Sequence, residues 1–192
     1  MGGAIVRKLW KILDTRELWK TPFSRMRVDR CELPDGRIMP AYYTMELRDW
    51  VNVVALTPQR DFILVDQYRH AAQTYCLEIP GGALDAKDED LQAAALRELR
   101  EETGYKAGSV TLVGQHYPNP ALQSNRIHTY VAHDCVFEGP QELDAFEDIK
   151  VKIVPWTEFK TTLAQGEINH SLMMASVSMV LLYLERTKGW ML

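Results

Sequence analysis

The order of sequence patterns predicts an α+β chain, an αβα sandwich on a mixed β-sheet preceded by a small antiparallel β unit. Three observations carry this. Alternating or β-branched segments dominate from Phe23 to Trp156, one helical segment interrupts them after Asp90, and two more helical segments follow. No internal repeat or low-complexity tract disturbs the order. The expected division is a helix and β unit over 1–48 and a main domain over 49–192.

The elements follow in order. "IVRKLWKIL" places Ile5, Leu9, Ile12 and Leu13 on one side of a short helix, expected to pack on the body or on a partner. "SRMRVDRCEL" alternates, "PDG" at Pro34 to Gly36 signals a turn, and "IMPAYYTMEL" returns as a second strand. "VNVVALTP" and "DFILVDQYR" read as a hairpin around "PQRD". "CLEIPGGALDAKDED" leads into a helix from Asp90 to Thr103, closed by Gly104, the residue preferred just past a helix end. Strands are expected at "SVTLVGQHY", "RIHTYVAHDCV" and "DIKVKIVPW". Helices from Glu158 to Gln165 and from Asn169 to Thr187 complete the chain.

Bulk properties exclude several classes. With 192 residues, 46% hydrophobic and 25% charged, the composition is that of an ordinary globular protein, expected to bury roughly 70% of its unfolded surface. A formal net charge of −4 and a pI near 5.8 argue against a general nucleic-acid binder, which needs a basic stripe. Cys31, Cys76 and Cys135 are far apart with no C-x-x-C pair, which suits a reducing cytosol. The charged N-terminus lacks the apolar core of a signal peptide. The longest apolar run, Leu172 to Leu184, is shorter than the roughly 20 residues a membrane span needs. A soluble, cytoplasmic protein is expected.

The helix after Asp90 carries a puzzle. "ELREE" sets Glu98, Glu101 and Glu102 within about one turn, at the end where the helix dipole is already negative. Like charges at this spacing repel by roughly 0.2–0.5 kcal/mol per pair. At 100° per residue the three carboxylates converge, with Arg97 and Arg100 expected to point elsewhere. Convergent carboxylates suit hard divalent cations, Mg2+ or Mn2+, which keep waters and substrate phosphates in their remaining positions. The adjacent glycines of "EIPGGALD" let the backbone approach, so a carbonyl of Gly81 or Gly82 could be a further ligand. Taken alone, the cluster also fits a solvated charged face.

The segment resembles the Nudix box, G-x5-E-x7-R-E-U-x-E-E-x-G-U, where U is aliphatic or aromatic. The match runs through Glu89, Arg97-Glu98-Leu99, Glu101-Glu102 and Gly104-Tyr105. Counting back from Glu89 puts the opening glycine at Ala83, with Gly82 one place early, as a one-residue insertion in the loop would do. The resemblance implies an αβα sandwich that hydrolyses a nucleoside diphosphate linked to another moiety. It assigns Glu98, Glu101 and Glu102 to Mg2+ or Mn2+, and an ion pair between Glu89 and Arg97 to the anchoring of the loop.

Outside the box, from Trp19 to Leu184, the chain is similar to the ADP-ribose and nucleoside-diphosphate-sugar pyrophosphatase branch. "VDRCELPDGR", "ILVDQYRHAAQTYCLEIPGG", Pro120 and "FEDIKVKIVPWTEF" carry that likeness. The branch implies a homodimer that exchanges its early β unit, substrate contact at Arg69, binding or orientation by Glu78, and a late-loop acid at Glu147. Two departures stand out: Asn125 occupies a usually acidic position, and Ala145 lies where some members carry a second acid. Glu147, Asp144 and Glu142 are the candidates for general base, with a metal-bound hydroxide that needs little help as the alternative, and Glu98 and Glu102 stand beside them at the catalytic centre. Arg126 and His128 share a strand face; they are candidates for phosphate or sugar contact, with a purely structural histidine as the alternative.

The expected reaction is metal-dependent cleavage of ADP-ribose or a related nucleoside diphosphate sugar to a nucleoside monophosphate and a sugar phosphate. The competing expectations are another Nudix substrate, such as a dinucleoside polyphosphate, NADH or a capped RNA end, and a nucleotide-sugar sensor without turnover.

Overall fold

Strands form where apolar residues alternate or run together, and the main sheet separates two apolar layers. A computed structural model describes residues 8–85 and 90–188. The chain divides into two units, one running to Arg48 and including Asn119–Asn125, the other comprising Asp49–Pro118 and Arg126–Leu192.

The first unit is an antiparallel sheet of β1 (Lys11–Lys20), β2 (Ser24–Glu32) and β3 (Ile38–Leu47), in that order. The helix expected over 5–13 is corrected here: Lys11 to Leu13 open β1, while 5–7 lie outside the described residues. Pairing with β2 from Lys11↔Glu32 to Lys20↔Arg25 outweighs a helical spacing carried by only four apolar residues. The β2–β3 turn falls at Pro34 to Gly36 as expected; Gly36 adopts φ 86° and donates to Leu33 O at 2.9 Å. The segment Asn119–Asn125 joins this unit through Met45 N to Leu122 O (2.7 Å) and Tyr42 Oη to Ala121 O (2.9 Å).

The second unit contains β4 (Trp50–Leu56), β5 (Phe62–Arg69), β6 (Thr74–Glu78), β7 (Gly81–Ala83), α1 (Leu91–Thr103), β8 (Tyr105–Lys106), β9 (Ser109–His116), β10 (Ile127–His133), β11 (Val136–Phe137), β12 (Ile149–Val154), α2 (Trp156–Ala164) and α3 (Ser171–Lys188). Seven strands form one sheet in the order β12-β5-β4-β10-β9, with β6 added to β5 and β7 to β4. The sheet is mixed because β10 runs parallel to β4 and antiparallel to β9.

Alternation along the strands assigns the layers. Val51, Val53, Ala55, Ile63, Tyr130 and Ala132 pack with Ala94, Ala95 and Leu99 of α1. Val54, Leu56, Phe62, Leu64 and Val131 pack instead with Phe159 of α2 and Met173, Val177, Val180 and Leu184 of α3. The result is the αβα sandwich expected from sequence. Asn52 and Thr129, both on the α3 side, bond to Ser176 at 3.1 and 3.0 Å, so their burial leaves these polar groups satisfied. No described helix is long and apolar enough to cross a membrane.

Candidate metal and phosphate site

Local sequence fixes α1 and hence its carboxylates. Asp90 caps the helix by accepting from Gln92 N at 2.9 Å, and Gly104 ends it at φ 75° with its N–H on Arg100 O. With Ala94, Ala95 and Leu99 buried against the sheet, Glu102 is only 5% exposed, whereas the side chains of Glu98 and Glu101 are 13% and 36% exposed. Strand β7 meets them edge-on. Gly81 N donates to Glu102 Oε2 at 2.9 Å, and a Cβ placed on Gly82 would lie 2.5 Å from Glu98 Oε2. The two glycines therefore bring backbone against two carboxylates, and β4 holds them there through Gly81↔Asn52 and Gly82↔Val51.

Arg97 departs from the expected outward direction. Its long side chain reaches back so that Nη1 lies 2.9 Å from Glu98 Oε1 and 2.8 Å from Glu101 Oε2. The anticipated Glu89–Arg97 ion pair falls outside the described residues. Arg97 does not neutralise the cluster. Burial, with Glu101 and Glu147 adding to it, pushes the Glu98 carboxyl up to about 7 despite Arg97. Burial raises Glu102 further, to about 8, with Glu98 and Glu147 adding to it and Gly81 and Arg69 opposing.

Such a hard-oxygen donor set with surplus negative charge fits a divalent cation. Among the described residues, no three His, Cys, Asp or Glu side chains stand close enough to enclose an ion by themselves. The expected convergence of all three acids is thus not met, because Glu101 turns to Arg97. Mg2+ is usually held by one or two carboxylates together with waters and substrate phosphates, a number that Glu98 and Glu102 can supply.

The carboxyl shifts have a consequence for stability. Both groups titrate above their ordinary value of 4.5, so their contribution is complete below pH 4.5 and is lost as pH rises through about 7 and 8. EDTA-treated protein is expected to lose on the order of a few kcal/mol between pH 5 and pH 8. Mg2+ should restore the melting temperature at pH 8. A melting temperature that is flat with pH and indifferent to Mg2+ would contradict this assignment.

Donors at the end of α1 answer the question its acidic last turn poses. Gln141 Nε2 donates to Glu102 O at 2.6 Å, and Glu142 N donates to Glu101 O at 2.8 Å. Arg100 reaches Glu138 (3.1 Å), Pro140 O (2.9 Å) and Glu142 (3.1 Å). These groups satisfy terminal carbonyls and fasten residues 138–142 to the helix. The same segment continues to Glu147, which is partly buried in a turn, with its carboxylate accepting from Asp144 N at 2.9 Å. Its charge bears on both Glu98 and Glu102. Of the other base candidates, Glu142 is engaged by Arg100 and Asp144 is exposed.

Arg69 and Glu78 face each other across β5 and β6. Arg69 Nε and Nη2 donate to the two Glu78 oxygens at 2.7 and 2.6 Å, the forked geometry that guanidinium and carboxylate favour. His170 Nδ1 lies 3.3 Å from Glu78 Oε2, without the alignment of a good hydrogen bond. Burial would raise the Glu78 carboxyl, but Arg69 and His170 outweigh it and bring it down to about 2. Glu78 is thus a fixed anion that orients Arg69, and the guanidinium of Arg69 acts electrostatically on Glu102.

Arg126 and His128 lie elsewhere. The exposed Arg126 guanidinium sits over the Tyr117 ring, 5.6 Å from its centroid, and Arg126 N donates to Asp49 Oδ1 at 2.8 Å. Buried His128 has Nε2 3.2 Å from Asp49 Oδ2. Asp49 thereby ties the entry to β4 to the entry to β10, which favours the structural alternative for His128. Sequence reasoning missed Gln141 and His170. Both act at contacts distant in sequence, and neither lies in a motif.

Known proteins add independent findings. The NUDIX domain profile matches residues 46–175. The profile of the nucleoside diphosphate sugar hydrolase N-terminal domain matches residues 10–45. An ADP-ribose pyrophosphatase of Bacillus subtilis is 34% identical over 142 residues, covering 73% of this chain and 76% of that protein. A methanol dehydrogenase activator of Bacillus methanolicus is 33% identical over 122 residues, covering 64% and 65%. A crystal structure of an ADP compounds hydrolase superposes with a TM-score of 0.80 over 93% of this chain and 96% of that one. At 22% identity this likeness concerns the fold.

Proposed function

The chain belongs to the NUDIX-domain family of hydrolases, and from that premise we propose that it cleaves the pyrophosphate bond of ADP-ribose or a related nucleoside diphosphate sugar. The products are a nucleoside monophosphate and a sugar phosphate. The observation that carries this reading is the pair of buried carboxylates, Glu98 and Glu102, raised to about 7 and 8 and set against the backbone of Gly81 and Gly82. The N-terminal match to nucleoside diphosphate sugar hydrolases and the likeness to an ADP-ribose pyrophosphatase support the substrate class.

Glu98 and Glu102 would hold Mg2+, with Mn2+ as substitute, and a backbone carbonyl at Gly81 and Glu101, on giving up its contact with Arg97, would complete the protein's share of ligands. When bound, the ion supplies charge neutralisation at the diphosphate and activation of water. The protein's own groups do the positioning. Arg69, locked by Glu78 through Nε and Nη2, turns its remaining N–H groups to the phosphates. Glu147 accepts the proton of the attacking water. Glu89 and Arg97 anchor the loop.

The division at residue 48 separates a dimerisation unit from the catalytic domain, and the functional form is a homodimer. Edge strand β1 and exposed Leu9, Trp10, Trp19, Phe23 and Tyr43 in the first unit support that assembly. A cytoplasmic location accords with the three free cysteines, and the net charge of −4 speaks against a nucleic-acid substrate.

Product analysis with Mg2+ and an EDTA control tests the reading against ADP-ribose, GDP-mannose, UDP-glucose, NADH and diadenosine polyphosphates. EDTA-sensitive release of a monophosphate from a nucleoside diphosphate sugar is expected. Turnover of only NADH or a dinucleoside polyphosphate would move the substrate class. Binding without turnover across the panel would make the protein a sensor.

A further inference from the structure

We infer that Gln141 is a positioning residue, holding the loop that carries Glu147 against the carboxylates of α1. This rests on the reading of Glu147 as proton acceptor. Both amide hydrogens of Gln141 are used: Nε2 donates to Glu102 O at 2.6 Å and to Ile149 O at 3.2 Å. Both partners are carbonyls, so the donor end of the amide must face them. One side chain thus closes 142–148 into a short loop and fastens both of its ends to the last turn of α1, at the residue whose carboxylate is the most buried of the three.

Arg100 also grips this segment, but only at Glu138, Pro140 O and Glu142, before and at the first residue of the loop. Gln141 alone among these groups reaches Ile149, where the chain enters β12. Within the loop, Glu147 N donates to Asp144 O at 3.0 Å, a local turn that does not itself fix the loop on the helix. Glu147 must stay near Glu98 and Glu102, where its charge is felt. Glu142 N on Glu101 O holds the start of the loop and the pairing of Ile149 with Gln67 holds its end to β5, while the Gln141 bridge is what ties that end to α1.

The test compares wild type, Gln141→Met, Glu147→Gln and the double variant for kcat and KM on ADP-ribose with Mg2+, alongside hydrogen exchange. Methionine keeps the length of glutamine and removes both donors. Gln141→Met is expected to lower kcat about tenfold with KM within about twofold, and to add nothing further in the Glu147→Gln background. Losses that multiply in the double variant, or a normal kcat in Gln141→Met, would overturn the inference while leaving the role of Glu147 intact. A normal kcat in Glu147→Gln would instead sink the proton-acceptor reading, and the inference with it. Exchange at 142–148 is expected to quicken in Gln141→Met while α1 stays protected, whichever nucleotide is the substrate; unchanged loop exchange overturns the bridge itself. If Gln141→Met melts far below wild type, Gln141→Asn, one methylene too short to span both carbonyls, is measured in its place.

Discussion

Glu102→Gln is expected to lower kcat by roughly 10²–10³-fold and, at the same time, to raise the melting temperature of EDTA-treated protein at pH 8. The two effects share one cause. Glu102 is buried to 5% exposure and its carboxyl is pushed up to about 8, so near that pH the fold carries a partly charged group that burial disfavours. Glutamine keeps an oxygen for the Gly81 N–H and removes the charge. At pH 5, where the carboxyl is neutral, the stability gain should vanish. A residue retained for packing alone would show no such opposition between activity and stability. Near-normal turnover in Glu102→Gln would remove Glu102 from the site.

Gly81→Ala is expected to carry a large stability penalty, about 3 kcal/mol or a fall of roughly 6–12 °C in melting temperature. A Cβ at this position would sit only 2.2 Å from Val51 O and 2.9 Å from Asn52 Oδ1, and a backbone carbonyl within a central strand cannot step aside. The neighbouring Gly82→Ala should behave differently, because its Cβ meets the carboxylate end of Glu98, a group able to swing away. Thermal melting and kcat for the two variants check this contrast. Gly82→Ala should fold with near-normal stability and lose activity, whereas Gly81→Ala should lose the fold first. Equal melting temperatures for both would mean that β7 is not clamped between β4 and α1 as described.

Most of the main domain was legible because its signals are local. Alternation and β-branched runs identify β4, β5, β9, β10 and β12, and Asp90 and Gly104 bound α1 by capping chemistry alone. The carboxylates of α1 were legible from spacing and the box motif. What local pattern could not give were features decided by distant partners. The stretch from Lys11 to Leu13 has apolar spacing compatible with a helix, yet β2 supplies a strand partner along its length. Asn119–Asn125 joins the first unit through Met45 and Tyr42, far earlier in the chain. Helical angles put Arg97 away from the acids, but an arginine side chain is long enough to reverse direction within its own turn. Gln141 gave no signal because its partners are main-chain carbonyls, which look alike at every position of a sequence.

The central claim is that carboxylates of α1 and a divalent cation together split the diphosphate of a nucleotide sugar. The most direct measurement is a 31P NMR time course of purified protein with ADP-ribose and Mg2+, repeated with EDTA. The diphosphate resonances should decay into two phosphomonoester resonances, those of AMP and ribose 5-phosphate, and EDTA should arrest the change. Diphosphate signals that persist with Mg2+, or that decay equally in EDTA, would contradict the account.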